Sequence, residues 1–214
     1  MGEIMLVRHG QANSGATDEE SYDKLSDLGH QQARWLGDYL RDREAPFDKV
    51  ISGSLRRHRE TATGIGYDEP QIDPRLNEMD YFNLGQSLAD VHGVPFPGPE
   101  DFAAHVPQVM EAWHRAEIKG VETFASFEDR VTSVLQEAAQ PGVRVLCVTS
   151  GGVIGMIIRH LLDLDPTRLA HVLLPIMNSS VHRVHVIPQG PILASFNAIP
   201  HLEQAARAYA KSHY

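Results

Sequence analysis

The stretch Ile4-Met5-Leu6-Val7-Arg8-His9-Gly10 is an apolar run that ends in two basic residues and a glycine. A continuous run of this kind predicts a strand buried on both faces, which is typical of a parallel sheet. The same order recurs where Val50-Ile51 precedes Ser52-Gly53-Ser54, and where Val145-Leu146-Cys147-Val148 precedes Thr149-Ser150-Gly151-Gly152. Because ligands bind at the carboxyl ends of strands in an open parallel sheet, we expect these polar residues to share one site.

Helical patterns follow these strands. Residues 26–43 are a predicted helix with Ser26 as N-cap, and further helices are expected to end near residue 62, to start near Ser126 and to span 153–162. Residues 181–187 and 192–196 read as a hairpin. Strands that alternate with helices predict an α/β fold, here a three-layer α/β/α sandwich with a mostly parallel central sheet. A length of 214 residues favours one domain over 1–214.

Residues 85–125 interrupt this alternation. They are rich in proline and carry an apolar stripe at helical spacing: Phe102, Val106, Val109, Met110 and Trp113. A segment this short cannot build an independent core, so we interpret it as an inserted cap over the site. The stripe favours packing over ligand binding, with Trp113 as a candidate for the mouth of the pocket.

Composition excludes several classes of protein. Apolar residues make up 42% and charged residues 22%, which is typical of a globular protein and not of a disordered chain. The net charge of −9 argues against a binder of nucleic acid or of an anionic membrane. Cys147 is the single cysteine, so an internal disulfide is excluded. No apolar run or leader pattern suggests a membrane span or export, and we expect a cytoplasmic protein of undetermined oligomeric state.

Three segments carry residues suited to phosphate chemistry. Arg8 offers a planar fork of donors, and the adjacent His9 is a potential nucleophile toward phosphorus. Residues 54–62 place Arg56, Arg57, His58 and Arg59 at a predicted helix N-terminus, which favours an anion. A helix directs only some of these side chains to one site, so we expect two of the three arginines to be exposed to solvent on the helix surface. Glu78 or Asp80 is suited to protonate a leaving oxygen.

Taken together, these segments resemble the histidine phosphatase superfamily, branch 1, the phosphoglycerate mutase-like group. Leu6-Val7-Arg8-His9-Gly10-Gln11 is similar to the family's opening motif, and Leu25-Ser26-Asp27-Leu28-Gly29-His30 to its first helix entry. The Thr61-Ala62 ending assigns the second arginine to Arg57, and Leu76-Asn77-Glu78 points to Glu78 as the acid. Phe127-Glu128-Asp129-Arg130-Val131 and Phe196-Asn197 also match, so the resemblance covers most of the chain.

The resemblance implies a role for each of these residues. His9 is expected to accept the phosphoryl group, Arg8 and Arg57 to bind its oxygens, and Glu78 to protonate the leaving group. Ser150, Gly151, Asn13 and Ser14 are expected to contact the phosphate or the substrate. No metal and no organic cofactor is implied, and the ligand is a small phosphorylated molecule. The acidic and aromatic stretch Glu78-Met79-Asp80-Tyr81-Phe82 favours a phosphatase over a phosphoglycerate-type mutase.

Ser150 departs from the family pattern, which has a second histidine at this position. Serine donates one hydrogen bond but brings no charge. Three accounts stay open: an active phosphatase, a catalytically impaired protein that binds a phosphorylated ligand, or a substitution introduced to trap an intermediate. Ser150 as the nucleophile of a serine hydrolase is a weaker alternative, because the nucleophile-elbow pattern needs glycine where this chain has Val148.

Overall fold

The computed structural model of the protein describes residues 1–13, 16, 18–98 and 100–213. The strands are β1 (Gly2–Arg8), β2 (Lys49–Ser52), β3 (Gln71–Ile72), β4 (Arg144–Thr149), β5 (Val181–Ile187) and β6 (Gly190–Ala198). The α-helices are α1 (Glu19–Tyr22), α2 (Asp27–Arg43), α3 (Arg56–Ile65), α4 (Tyr81–His92), α5 (Phe102–His114), α6 (Phe124–Ala138), α7 (Gly151–Leu162) and α8 (Leu169–Leu173). Short 3₁₀ turns include Pro74–Leu76 and Pro200–Leu202.

The strands form one sheet in the order β3-β2-β4-β1-β5-β6. β1 and β2 both run parallel to β4, with Leu6 and Ile51 each opposite Cys147, and β3 runs parallel to β2. β5 and β6 are the antiparallel hairpin beside β1. The carboxyl ends of β1, β2 and β4 therefore lie side by side at one edge.

Alternation along β1 divides the core between the two faces of the sheet. Met5 and Val7 pack with Leu36 of α2 and Ile65 of α3 on one face. Ile4 and Leu6 pack on the other face, against residues of α4, α5, α6 and α7. This layered arrangement confirms the predicted α/β sandwich with a mostly parallel sheet.

Two of the predicted helix starts depend on an N-cap residue. Ser26 caps α2 by accepting the Gly29 N–H, as the sequence predicts. The prediction that the later helix starts near Ser126 is wrong, because α6 begins at Phe124. Thr123 Oγ1 accepts the Ser126 N–H at 3.1 Å and is the N-cap, so the helix begins before Ser126.

The segment 85–125 shares the main core of the molecule. Leu88 of α4 and Val106 and Met110 of α5 are buried in the same cluster as Ile4 and Leu6. The suggestion that Trp113 lies at the pocket mouth is wrong, because the indole is buried and donates to the Glu122 carbonyl at 3.0 Å. No helix in the described part of the chain has the length and apolar character that crossing a membrane requires.

Candidate active site

A cavity of about 600 Å³ opens at the carboxyl ends of the parallel strands. Its inner end is lined by Arg8, His9, Arg57, Glu78 and Gly151, which we call the phosphate floor. The strand ends are tied together, since the His9 N–H donates to the Thr149 carbonyl at 2.9 Å. The fold therefore brings residues from four distant segments to one point, three of which follow neighbouring parallel strands as the sequence predicts.

His9 is buried and held in one tautomer. Its Nδ1 lies 2.7 Å from the Gly10 carbonyl oxygen. A carbonyl only accepts, so Nδ1 carries the proton and Nε2 keeps a lone pair. Burial, followed by the positive charges of Arg57 and Arg8, holds the pKa of His9 well below its usual value. His9 is therefore neutral near pH 7 and chemically suited to act as a nucleophile.

Arg8 is positioned by main-chain carbonyls. Its Nη1 donates to the carbonyls of Ile176 and, at 2.7 Å, of His213. Its Nε is buried and has no hydrogen-bond partner among the described residues. A Cβ placed on Gly151 would lie 3.6 Å from this Nε, so the glycine leaves room beside the guanidinium. Arg8 thus has an unused donor next to the start of α7, where an anion is stabilised.

Arg57 is the buried arginine of the basic segment, with 1% of its surface exposed. Its guanidinium contacts Asp23 at 3.2 Å and stacks 4.9 Å from the centre of the Tyr22 ring. Asp23 also accepts the Arg57 backbone N–H at 3.1 Å, so it caps α3, whose N-cap residue Leu55 cannot. Arg56 and Arg59 are exposed, in agreement with the expectation for two of the three arginines.

Glu78 follows the turn Pro74–Leu76 and approaches the start of α7. Its carboxylate accepts the Gly152 N–H at 2.9 Å and the Met79 N–H at 3.1 Å. A Cβ on Gly152 would lie 2.1 Å from Glu78 Oε1, so this approach requires glycine. Asp80 instead caps α4 by accepting the Asn83 N–H at 3.0 Å. Of the two candidate acids, Glu78 lines the cavity.

The other candidate residues have different surroundings. Gly151 lines the cavity, but Ser150 is fully buried and lies outside the lining, with its Oγ 2.6 Å from His58 Nε2. Asn13 is also outside the lining and donates to the Ser21 carbonyl at 2.9 Å, which holds its own loop. Ser14 falls outside the described residues.

Comparison with known proteins identifies the family. A family model of the histidine phosphatase superfamily (branch 1) matches residues 4–199. The chain belongs to this superfamily. An adenosylcobalamin/alpha-ribazole phosphatase of Salmonella typhimurium is 31% identical over 176 residues, or 78% of this chain and 83% of that protein. A broad-specificity phosphatase of Saccharomyces cerevisiae is 27% identical over 173 residues, or 74% of this chain and 69% of that protein.

Solved structures support the fold. A phosphoserine phosphatase mutant of Entamoeba histolytica, crystallised with phosphoserine, has a TM-score of 0.71 at 22% identity, covering 94% of this chain and 100% of that chain. The resemblance seen in the sequence is therefore confirmed at the level of the superfamily, its fold and its phosphatase relatives.

The outer part of the cavity is apolar. We call four of its rings the aromatic wall: Tyr81, Phe82, Phe96 and Phe102. Phe82 and Phe96 are parallel, with ring centres 5.6 Å apart, and the Tyr81 ring lies 5.3 Å from that of Phe102. The Tyr81 hydroxyl is paired with His105 Nδ1 at 2.7 Å. The wall therefore presents mainly ring surface to a ligand.

Several lining residues escaped the sequence analysis. Phe102, Val106 and Met110 were assigned to packing alone, yet they also line the cavity. Tyr22 and Phe96 belong to no motif, and only the folded chain brings them to the cavity. Among the described residues there is no cluster of three or more histidine, cysteine or acidic side chains suited to a metal ion.

Proposed function

We propose that this protein is a phosphomonoester hydrolase that works through a phosphohistidine on His9. The observation that carries the proposal is the fixed tautomer of His9. Its Nδ1–H is bonded to Gly10, which leaves the Nε2 lone pair in a cavity shared with Arg8, Arg57 and Glu78. A phosphate held between two guanidinium groups presents its phosphorus to such a nucleophile.

The reaction follows in two displacements. His9 Nε2 forms a bond to phosphorus while the bond to the leaving oxygen breaks, and the carboxyl group of Glu78, in its protonated form, gives that oxygen a proton. Arg8 and Arg57 stabilise the charge on the three peripheral oxygens. Water then attacks phosphorus and gives its proton to Glu78, and the P–N bond breaks. Inorganic phosphate leaves, and His9 and Glu78 return to their starting states.

The lining favours esters with uncharged, apolar leaving groups. Among the described lining residues, Arg8 and Arg57 are the permanent cations, and both lie on the phosphate floor. A phosphoglycerate-type mutase needs to hold a second anionic group, and the aromatic wall offers it no positive charge. Phosphatase relatives such as the broad-specificity enzyme of yeast support the same choice. In this proposal residues 85–125 act as the cap of a single domain and supply much of the wall.

The test is hydrolysis of 4-nitrophenyl phosphate by the unaltered chain and by His9→Ala. We expect His9→Ala to lower kcat at least about a thousandfold, because removing the nucleophile of a covalent mechanism has effects of this order or larger. When the reaction with a ³²P-labelled ester is rapidly quenched, we expect an acid-labile, alkali-stable phosphoenzyme to be trapped with the unaltered chain and none with the variant.

The matched control is His160→Ala, which removes an exposed histidine of α7 and should leave both readouts unchanged. Undiminished turnover in His9→Ala would overturn the proposal. An unaltered chain that binds phosphate but hydrolyses no ester of an aryl and alkyl panel would favour the alternative, a binding protein of the same fold impaired by Ser150.

A further inference from the structure

The mechanism above leaves a buried histidine beside the nucleophile unused. His58 lies in α3, is fully buried, and its ring centre is 5.7 Å from that of His9. A Cβ on Gly53 would lie 2.1 Å from His58 Nδ1, so the ring occupies space that only a glycine leaves free. Burying an imidazole without a role in packing or bonding is unfavourable, which directs attention to its contacts.

The contact of His58 is with Ser150. His58 Nε2 and Ser150 Oγ are 2.6 Å apart. Ser150 is the N-cap of α7, yet its side chain makes no capping bond to that helix. Serine at this position ordinarily stabilises the helix by accepting a backbone N–H. Here the hydroxyl forgoes that stabilisation and bonds to the imidazole instead.

The direction of this bond follows from the second ring nitrogen. Burial and the charge of Arg57 hold the pKa of His58 well below its usual value, so the ring is neutral and carries one N–H. His58 Nδ1 has no hydrogen-bond partner among the described residues. A buried N–H without an acceptor is rarer than a buried acceptor without a donor. The proton therefore belongs on Nε2, which donates to Ser150 Oγ.

Ser150 is then left with a proton to donate. Within the described part of the chain, His58 is the hydrogen-bond partner of Ser150 Oγ, and no carbonyl or carboxylate accepts from it. The next residue, Gly151, lies on the phosphate floor. An anion bound there is an acceptor for this O–H, whose rotation is limited because Nε2–H occupies one lone pair of the oxygen.

We propose that His58 is a positioning residue of the phosphate site, which holds the Ser150 hydroxyl so that it donates to a phosphoryl oxygen. This inference rests on the proposed function. The pair supplies a neutral donor where the family pattern has a histidine. It also argues against Ser150 as nucleophile, because a general base needs a free Nε2 lone pair and a partner that orients Nδ1–H.

The experiment measures inhibition by orthovanadate, together with kcat and KM for 4-nitrophenyl phosphate. We expect Ser150→Ala to raise the vanadate inhibition constant about 10- to 100-fold, the range for a hydrogen bond to a charged group. His58→Leu, which fills similar space without a donor, should have an effect of the same order. His58→Gln retains an N–H donor and should restore part of the loss. Ser150→Ala combined with His58→Leu should be no worse than Ser150→Ala alone.

A second buried pair provides the control. His201 Nε2 lies 2.8 Å from Ser179 Oγ, and neither residue lines the cavity. His201→Gln should leave the vanadate constant unchanged, and thermal unfolding of every variant reports whether it folds. If His58→Leu does not fold, comparing the vanadate inhibition constants of Ser150→Ala and His58→Gln still tests the inference.

The outcomes separate this inference from the proposed function. Unchanged vanadate binding in Ser150→Ala, with activity still dependent on His9, would overturn the inference and leave the proposed function intact. Equal losses in His58→Leu and His58→Gln, with no coupling to Ser150→Ala, would also overturn it. Activity that survives His9→Ala but disappears in Ser150→Ala would overturn both and make Ser150 the nucleophile.

Discussion

The two ends of the cavity are built in different ways. Three groups of the phosphate floor are held by main-chain atoms, because Gly10 fixes His9, Ile176 and His213 fix Arg8, and Gly152 fixes Glu78. The fourth, Arg57, is held by the carboxylate of Asp23. The aromatic wall is held by ring contacts and by the hydrogen bond between Tyr81 and His105, and Phe96 is 44% exposed. A group hydrogen-bonded at the edge of the sheet is fixed in direction, whereas ring contacts are less directional and allow the side chains to shift around a ligand. We therefore expect the floor to control chemistry for every ester and the wall to control selectivity.

Among the changes that test this comparison, the largest effect is expected from Arg57→Ala. Loss of a preorganised charge on the transferring phosphoryl group should lower kcat/KM about 100- to 1000-fold. The loss should be similar for aryl and alkyl phosphates, because the floor contacts the part that all esters share. Arg59→Ala removes an exposed arginine of the same helix and is the control. A loss confined to aryl esters would contradict the division between floor and wall.

A smaller effect, which depends on the leaving group, is expected from Glu78→Gln. General acid catalysis contributes about a hundredfold or more when the leaving oxygen is basic and less when it is already a stable anion. An alkyl phosphate should therefore lose more activity than 4-nitrophenyl phosphate.

Gly152→Ala should act in the same direction as Glu78→Gln, since its methyl group would displace the Glu78 carboxylate. Gly155→Ala is the control on the same helix, where the nearest atom would be Leu169 Cδ1 at 3.3 Å. Equal losses for both esters in Glu78→Gln would rule out the role of general acid.

The smallest effect is expected from Phe96→Ala, a change in the wall. Loss of one aromatic contact should lower kcat/KM for a naphthyl phosphate about three- to tenfold and leave methyl phosphate unchanged. Phe196→Ala, a comparably exposed phenylalanine outside the cavity lining, is the control. If both esters lost activity alike, Phe96 would be supporting the floor and not selecting the leaving group.

The candidate site was more predictable at the floor than at the wall. Arg8 and His9 follow directly from a buried strand, and the 3.6-residue period of α3 allowed only some of its basic side chains to face inward. The choice of Glu78 over Asp80 came from the resemblance, and the structure places Glu78 in the cavity and Asp80 at a helix cap. Phe96 had no comparable signal, because nothing in its local sequence fixes where the loop after α4 lies.

His58 shows most clearly what the sequence could not predict about the site. The sequence placed it among basic residues of a helix start and marked Ser150 as a departure from the family, but nothing in the chain joined positions 92 residues apart. Their contact depends on how α3 and α7 pack beside β2 and β4, which is a property of the assembled sheet.

The sequence by itself determined the α/β class, the superfamily and the strand ends that carry Arg8 and His9, because strand periodicity and motif order are local properties of the chain. The tertiary structure decided which tautomer His9 adopts, which of the two acidic residues lines the cavity, that His58 and Ser150 are in contact, and that the outer end of the cavity is aromatic. Those features depend on hydrogen bonds and ring contacts between segments far apart in sequence, and their geometry exists only once the sheet and its helices have packed.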